Sequence, residues 1–342
     1  MSYQIHVRPS AQQFTVEQGE SVLDAALRQG IAFPYGCRNG VCGSCRGKVI
    51  DGEFRYPNGL PKALSPQEAE RGLAVFCQAQ PLSDLDIEVD AISTVKDIRV
   101  RTLPVRVARK VQLAHDVMGL YLKLPEGQRL QFLAGQYIDI LLRDGRRRAF
   151  SLANAPLADE TLELHVRYVP EGEFSRYVFQ RLQDRALLRI RGPLGSFFLR
   201  ESSQRPLLFI AGGTGFAPIK GIIEYALARG ITRPIQLFWG VRAKRDLYMH
   251  ELATQWAAQH AQIRYVPVLS EPSPADRWSG HTGWVHEAVL TELPDLSQYD
   301  VYTSGPPIMV HAVRDCFLAR GFDPARLYSD AFDYAYEDGH NG

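Results

Sequence analysis

Five cysteines stand at positions 37, 42, 45, 77 and 316. Cys37, Cys42 and Cys45 are separated by four and two residues within GCRNGVCGSC, and Cys77 follows after 31 more. That is the spacing with which four thiolates hold a [2Fe–2S] cluster in the plant-type arrangement. Gly36, Gly40, Gly43 and Gly47 suit the chemistry, because such a loop must wrap tightly while its N–H groups point at sulfur. A clustered set of thiols in a reducing compartment points to metal rather than to disulfides. Structural zinc and free thiols are the alternatives, but a zinc site commonly pairs two short cysteine knuckles, and here the fourth ligand stands alone. Cys316, in VHAVRDCFLARG, has no neighbouring cysteine and reads as a buried helix residue.

A second constellation is PLLFIAGGTGFAPIKGIIEYALARG. It sets Gly212, Gly213 and Gly215 between an apolar strand and a helix expected to begin near Pro218, where proline is tolerated. Such a junction can bring bare backbone and the positive end of a helix to a pyrophosphate. The spacing is not G-x-G-x-x-G, and a plain turn is the alternative. A third stretch, RRRAFSLAN, is by itself only a basic turn entering a strand, which a solvated arginine cluster would also explain.

The elements that must position these residues follow from patterning. The start alternates Tyr3, Ile5 and Val7 with polar residues and reads as a half-buried strand rather than a signal peptide, which predicts a cytoplasmic protein. Ser21 can cap a helix carrying Val22, Leu23, Ala26 and Leu27, with Gly30 as its stop. Residues 1–92 thus read strand, strand, helix, cysteine loop. They carry 8 basic against 11 acidic residues, while the whole chain of 342 residues is near neutral at +1, a mild shift that supports a boundary. VRVARKV, LYLKL and YIDILL have period-two patterning and predict an antiparallel sheet or barrel over 103–203. From 204 to 342 apolar runs alternate with helix-length segments, which argues for a doubly wound parallel sheet. The near-neutral charge provides no field for nucleic acid, and the most apolar window, Leu207 to Ile219, is too short and interrupted to span a bilayer.

Residues 1–92 resemble a plant-type ferredoxin domain, whose fold is a β-grasp. The order RAFSLAN, HVRYVPEGEFS, GPLGSF, followed by a nucleotide-type α/β unit, resembles the ferredoxin–NADP reductase superfamily over 103–335. That resemblance implies a multidomain α+β and α/β chain: a β-grasp ferredoxin domain, an antiparallel β-barrel flavin domain and a nicotinamide domain. It places flavin contacts on Arg148, Phe150, Ser151 and Leu152, with a phenylalanine where relatives usually carry tyrosine. It places more on His165, Val166 and Arg167, and on the turn Gly172 to Ser175, which includes Phe174. Arginine suits a pyrophosphate because its fork can donate two hydrogen bonds. The flavin implied is FAD rather than FMN. Around the pyridine nucleotide the resemblance sets Gly212, Gly213, Gly215 and Thr214, then Gly305, Pro306 and Pro307. Ser304 stands where relatives commonly have cysteine, a candidate beside the hydride, and Phe332 falls where an aromatic residue covers the flavin ring. Arg242, Lys244 and Arg245 could accept a 2′-phosphate. They read more simply as solvated surface, which favours NADH without excluding NADPH.

The function implied is an oxidoreductase. NADH yields two electrons as a hydride, a [2Fe–2S] cluster takes one at a time, and a flavin between them resolves the mismatch. The complete pattern resembles reductase components of bacterial oxygenases and the CDP-6-deoxy-3,4-glucoseen reductases, which implies a redox partner protein, either a deoxysugar dehydratase or an oxygenase component. A free-standing flavin or quinone reductase and a non-enzymatic metal-binding module are the competing classes.

Overall fold

The computed structural model describes every residue except 1, 30, 32, 90–97, 158–160 and 333–342. Two compact units emerge: Met1–Arg99 with the short stretches Gly195–Phe197 and Ser329–Ala331, and Val100–Leu194 with Phe198–Tyr328 and Phe332.

In the first unit β1 (Ser2–Arg8) pairs antiparallel with β2 (Gln12–Glu17), and alternation buries Ile5 and Val7 on one face. The helix α1 (Val22–Arg28) follows, and the Ser21 hydroxyl accepts the Asp24 N–H at 3.1 Å. Gln29 is its C-cap; the expected stop at Gly30 lies outside the described residues. The remaining elements are β3 (Arg46–Asp51), β4 (Phe54–Arg55), α2 (Pro66–Glu70), β5 (Leu73–Val75), β6 (Gln80–Pro81) and β7 (Leu85–Glu88). The sheet runs β2-β1-β7-β3-β5 with β1 and β7 parallel, and β4 pairs with β6. This is the β-grasp arrangement, built on Phe14, Phe33 and Phe76, whose rings lie 5.8 and 5.9 Å apart in succession. The strands after the cysteine loop were not legible, because β4, β5 and β6 are two or three residues long and show no period.

The second unit begins with β8 (Arg101–Ala114), β9 (Val117–Lys123), β10 (Tyr137–Leu141), β11 (Arg147–Ser151), β12 (Thr161–Arg167), α3 (Glu173–Gln180) and β13 (Leu187–Leu194). Their antiparallel order is β11-β10-β13-β8-β9-β12, and an isolated bridge between Leu152 and Leu164 joins the two edges. The barrel expected from patterning is thereby closed around Val105, Leu120, Ile138, Leu164 and Ile190.

The same unit continues through β14 (Leu207–Gly212), α4 (Phe216–Ala228), β15 (Ile235–Val241), α5 (His250–Gln259), β16 (Ile263–Leu269), β17 (His281–Thr282), α6 (Val285–Glu292), β18 (Asp300–Gly305) and α7 (Pro307–Leu318); the chain then forms β19 (Leu327–Ala331), whose last three residues count with the first unit. The sheet order is β17-β16-β15-β14-β18-β19, with β14 parallel to both β15 and β18. The chain winds outward from β14 and then returns to its other side at β18. Ligands of such sheets bind at the carboxyl ends of the strands where the order reverses, and here those ends are Gly212 and Gly305. DVYTSG is the fifth strand of the sheet in chain order, since the two-residue β17 precedes it. The helix after β14 begins at Phe216, so Pro218 sits third in the first turn, where its missing N–H leaves no bond unmade. Cys316 is half-buried on α7 and packs against the core rather than inside it.

One buried ion pair fastens this sheet. Arg233 Nη2 donates to Asp300 at 2.6 Å, and its other donors meet the carbonyls of Arg200 and Arg205. Removing one partner of such a pair strands the other charge. Arg233→Met should destabilise the protein by about 3–5 kcal/mol, read as a shift of the chemical denaturation midpoint; a change below about 1 kcal/mol would mean the pair behaves as a surface contact.

Candidate functional site

The cysteine loop turns on Arg38, Gly40 and Gly43, at φ 61°, 80° and 73°. Cys42, Cys45 and Cys77 are buried and Cys37 half-buried. The loop aims amides at sulfur: Cys42 N–H donates to Cys37 Sγ at 3.2 Å, Cys37 N–H to Cys42 Sγ at 3.4 Å, and Cys77 N–H to Cys45 Sγ at 3.4 Å. The Cys37 thiol, together with the Ser44 amide, brings Cys42 down to about 6 against burial. The same pairing and burial push Cys37 up, and Cys45 is raised by its contact with Cys77 and by burial. Buried sulfurs gathered under N–H donors form a donor set that fits a thiolate-held [2Fe–2S] cluster. The unpaired fourth thiol of the sequence, Cys77, is thus brought to the other three.

In the barrel, β11 carries the arginine cluster. Arg148 donates to the Arg147 carbonyl at 3.0 Å. Phe150 is half-buried, its ring 5.5 Å from that of Phe174. Ser151 is buried opposite Tyr137, and Leu152 is fully buried in the core. Gly172 caps α3, whose first-turn N–H groups have no intrahelical acceptor. The Ser175 hydroxyl is engaged within the turn, by the Val169 N–H at 3.1 Å and the Gly172 carbonyl at 3.0 Å. A guanidinium, a hydroxyl and a helix N-terminus form a donor set that fits a phosphate-bearing flavin.

A cavity of about 650 Å³ opens at the ends of β14 and β18. Gly212, Gly213, Thr214, Arg167, Arg242 and Pro306 line it, together with Tyr248, Glu271, Trp284 and Ile308. Gly213 is held from below by the Trp239 indole, which donates to its carbonyl at 3.0 Å; Trp239 in turn stacks on Phe216 at 4.0 Å. Arg167 lies over the loop and donates to Asp116 at 3.1 Å. Gly215 faces the sheet instead: a Cβ there would fall 1.9 Å from the Ser304 carbonyl, so no side chain fits. Ser304 is fully buried, and its hydroxyl has no hydrogen-bond partner among the described residues. Phe332 is half-buried, its N–H donating to the Gly305 carbonyl at 2.9 Å.

His165 is buried, and its ring is occupied by protein rather than open to a ligand. It meets Glu163 at 2.9 Å through Nε2 and the Tyr248 hydroxyl at 2.9 Å through Nδ1. Glu163 also receives Lys220 at 3.0 Å. Sequence reasoning passed over Glu163, Lys220 and Tyr248. The signal was present in Lys220, one of two charges with Glu224 in the otherwise apolar helix FAPIKGIIEYALA, and in Glu163 within the buried run LELHV.

Three family models match in tandem: a 2Fe-2S iron-sulfur cluster binding domain over residues 5–82, an oxidoreductase FAD-binding domain over 104–199 and an oxidoreductase NAD-binding domain over 209–315. Among characterised proteins, the CDP-6-deoxy-L-threo-D-glycero-4-hexulose-3-dehydrase reductase of Yersinia pestis is 38% identical across 97% of this chain and 99% of its own length. The chain belongs to the iron–sulfur flavoprotein reductases. Similar to this reductase as well is reductase component 1 of terephthalate 1,2-dioxygenase from Comamonas, 36% identical over 97% of this chain and 98% of that one. Of solved structures, the Amycolatopsis cytochrome P450 reductase GcoB superposes with a TM-score of 0.77 at 35% identity, covering 98% of this chain and 100% of that one. The reductase is therefore an NADH-dependent oxidoreductase carrying a [2Fe–2S] cluster and FAD, and it passes electrons to a partner. None of its described helices is long and apolar enough to cross a membrane.

On the expectation that Arg148 meets the flavin pyrophosphate, Arg148→Ala removes a charge and up to two donors from it. The variant should come off purification with most of its flavin lost while the iron content stays at the level of the unmodified protein. Full flavin occupancy would mean the phosphates bind elsewhere.

Proposed function

We infer that this reductase delivers its electrons to a separate enzyme that dehydrates a nucleotide-linked deoxyhexulose. The observation that carries the reading is the match to a dehydrase reductase over 97% of this chain and 99% of that one. The similar match to the terephthalate dioxygenase reductase favours a second reading, in which the partner is an oxygenase component. The clustered cysteines suit a reducing cytoplasm.

Division of the chain at 1–92, 103–203 and 204–342 would give each redox group its own unit. Cys37, Cys42, Cys45 and Cys77 hold the cluster. Arg148, Ser151 and the start of α3 orient the flavin; the backbone of Val166 and its neighbours on β12 flanks it. Thr214 and Pro306 bound the nicotinamide, Gly212 and Gly213 keep the loop bare for the dinucleotide, and Phe332 shields the ring. Ser304 supports the loop through its carbonyl contact with Gly215 rather than by reaching the hydride. Bound there, FAD would accept electrons in pairs and return them singly, and the cluster would relay them. The protein's part is orientation, exclusion of water and the tuning of potential by N–H donors. Beside Arg242, the Glu271 carboxylate in the cavity wall supports NADH over NADPH, since a 2′-phosphate would meet a like charge.

Purified anaerobically, the protein should contain about two iron and two acid-labile sulfide per chain. Turnover of NADH should rise saturably with an added deoxysugar dehydratase; stimulation only by an oxygenase component would select the second reading, and no response to either would leave a free-standing flavin reductase. Cys42→Ser should abolish reduction of a one-electron acceptor yet leave bleaching of the flavin by NADH within about threefold of normal. Loss of both in a folded, flavin-loaded variant would rule out the linear path from nicotinamide to flavin to cluster.

A further inference from the structure

Four ionisable side chains lie together in the second unit, outside the roles assigned above. Glu163, His165 and Lys220 are 8%, 5% and 5% exposed. Lys220 Nζ bonds Glu163 at 3.0 Å, Glu224 at 2.8 Å and the Ala153 carbonyl at 3.1 Å. Burial drives His165 below the usual imidazole range, so its ring is neutral; with Nε2–H donated to Glu163, Nδ1 accepts from the Tyr248 hydroxyl. Burial alone would raise Glu163, but His165 and Lys220 outweigh it and hold the carboxylate ionised. Lys220 stays charged because Glu163 and Glu224 overcome its burial.

A buried charged group is costly to keep, and nonpolar residues of the same size often stabilise a fold as well or better. What this pair touches suggests why it is kept. Lys220 stands five residues beyond Gly215, on the helix that leaves the dinucleotide loop, and it grips Ala153, two residues past Ser151 in the flavin segment. Gly221 beside it permits the approach: a Cβ there would lie 3.0 Å from the Asn154 carbonyl and 3.1 Å from that of Leu152. Asn154 in turn accepts the Glu163 N–H at 2.9 Å. At the far end Tyr248 lines the cavity and meets Trp239, which holds Gly213, edge to face at 5.2 Å. A continuous set of contacts therefore runs from the flavin segment to both the loop and the wall of the dinucleotide cavity.

We propose that Glu163 and Lys220 are positioning residues: their ion pair registers the dinucleotide loop against the flavin segment and, through His165 and Tyr248, fixes the cavity wall, so that nicotinamide and flavin meet at one distance. The inference rests on the reading of this cavity as the NADH site. Hydride transfer needs the reacting atoms about 3–3.5 Å apart, and a displacement of about 1 Å can cost about 100-fold.

The test uses the full holoprotein. In Glu163→Gln combined with Lys220→Met both charges of the pair are gone, and Glu224, which loses its lysine partner, keeps part of its side chain in solvent. The double variant should retain FAD and cluster absorbance, melt within a few degrees of the unmodified protein and bind NAD+ within about threefold of normal, yet reduce its flavin at least tenfold more slowly at saturating NADH in anaerobic stopped flow. Reduction within twofold of normal would overturn the proposal and leave the functional reading intact. Failure of the unmodified protein to reduce its flavin with NADH would sink both. Should the double variant not fold, Glu163→Asp keeps the charge and withdraws it by one methylene; a several-fold slower reduction with unchanged NAD+ affinity supports registration, and an unchanged rate overturns it.

Discussion

The backbone N–H group is the donor that recurs at the cysteine loop, the end of β14 and the start of α3, the places proposed to hold negative charge. Around the cysteines, amides point at sulfur from a loop turned by residues in the left-handed region. At the end of β14, Gly212 and Gly213 leave the backbone bare beside the cavity. At α3 the first turn offers unbonded donors. Each site depends on local geometry that only small residues permit, and each is braced by an apolar core that supplies rigidity: Phe33 between two rings in the β-grasp, and Trp239 stacked on Phe216 beneath the dinucleotide loop.

The division of labour between sheets follows from chain direction. An antiparallel barrel can present short loops and strand ends around a flat ring system, whereas a parallel sheet gathers its carboxyl ends at one edge, where the reversal between β14 and β18 opens a crevice. The barrel and most of the parallel sheet fall within one compact unit.

Much of this was legible in residue order. The cysteine spacing carried its meaning alone, since few structures need four thiols so placed. Period-two runs marked β8 to β10, and the apolar runs after Pro206 marked β14, β15, β16 and β18. What escaped had weak local signal. Strands of two or three residues, such as β4 and β17, exist only because a neighbour pairs with them. The flavin segment was recognisable through its likeness to a family and not through its spacing. Glu163 and Lys220 are 57 residues apart, and their pairing is a property of the packed helix and barrel that no periodicity encodes. Ser304 is a different case: its place in the chain suggested a reactive neighbour, and its hydroxyl is buried with no hydrogen-bond partner among the described residues.

The barrel is closed at its last seam by a lone bridge between Leu152 and Leu164, one residue beyond β11. Elsewhere neighbouring strands share a ladder; here the residues just past β11 do the fastening, with the Ala153 N–H donating to the Glu163 carbonyl at 2.8 Å, the Glu163 N–H to the Asn154 side chain at 2.9 Å and the Asn154 amide to the Thr161 carbonyl at 3.1 Å, so irregular backbone and one asparagine take the place of a strand pair.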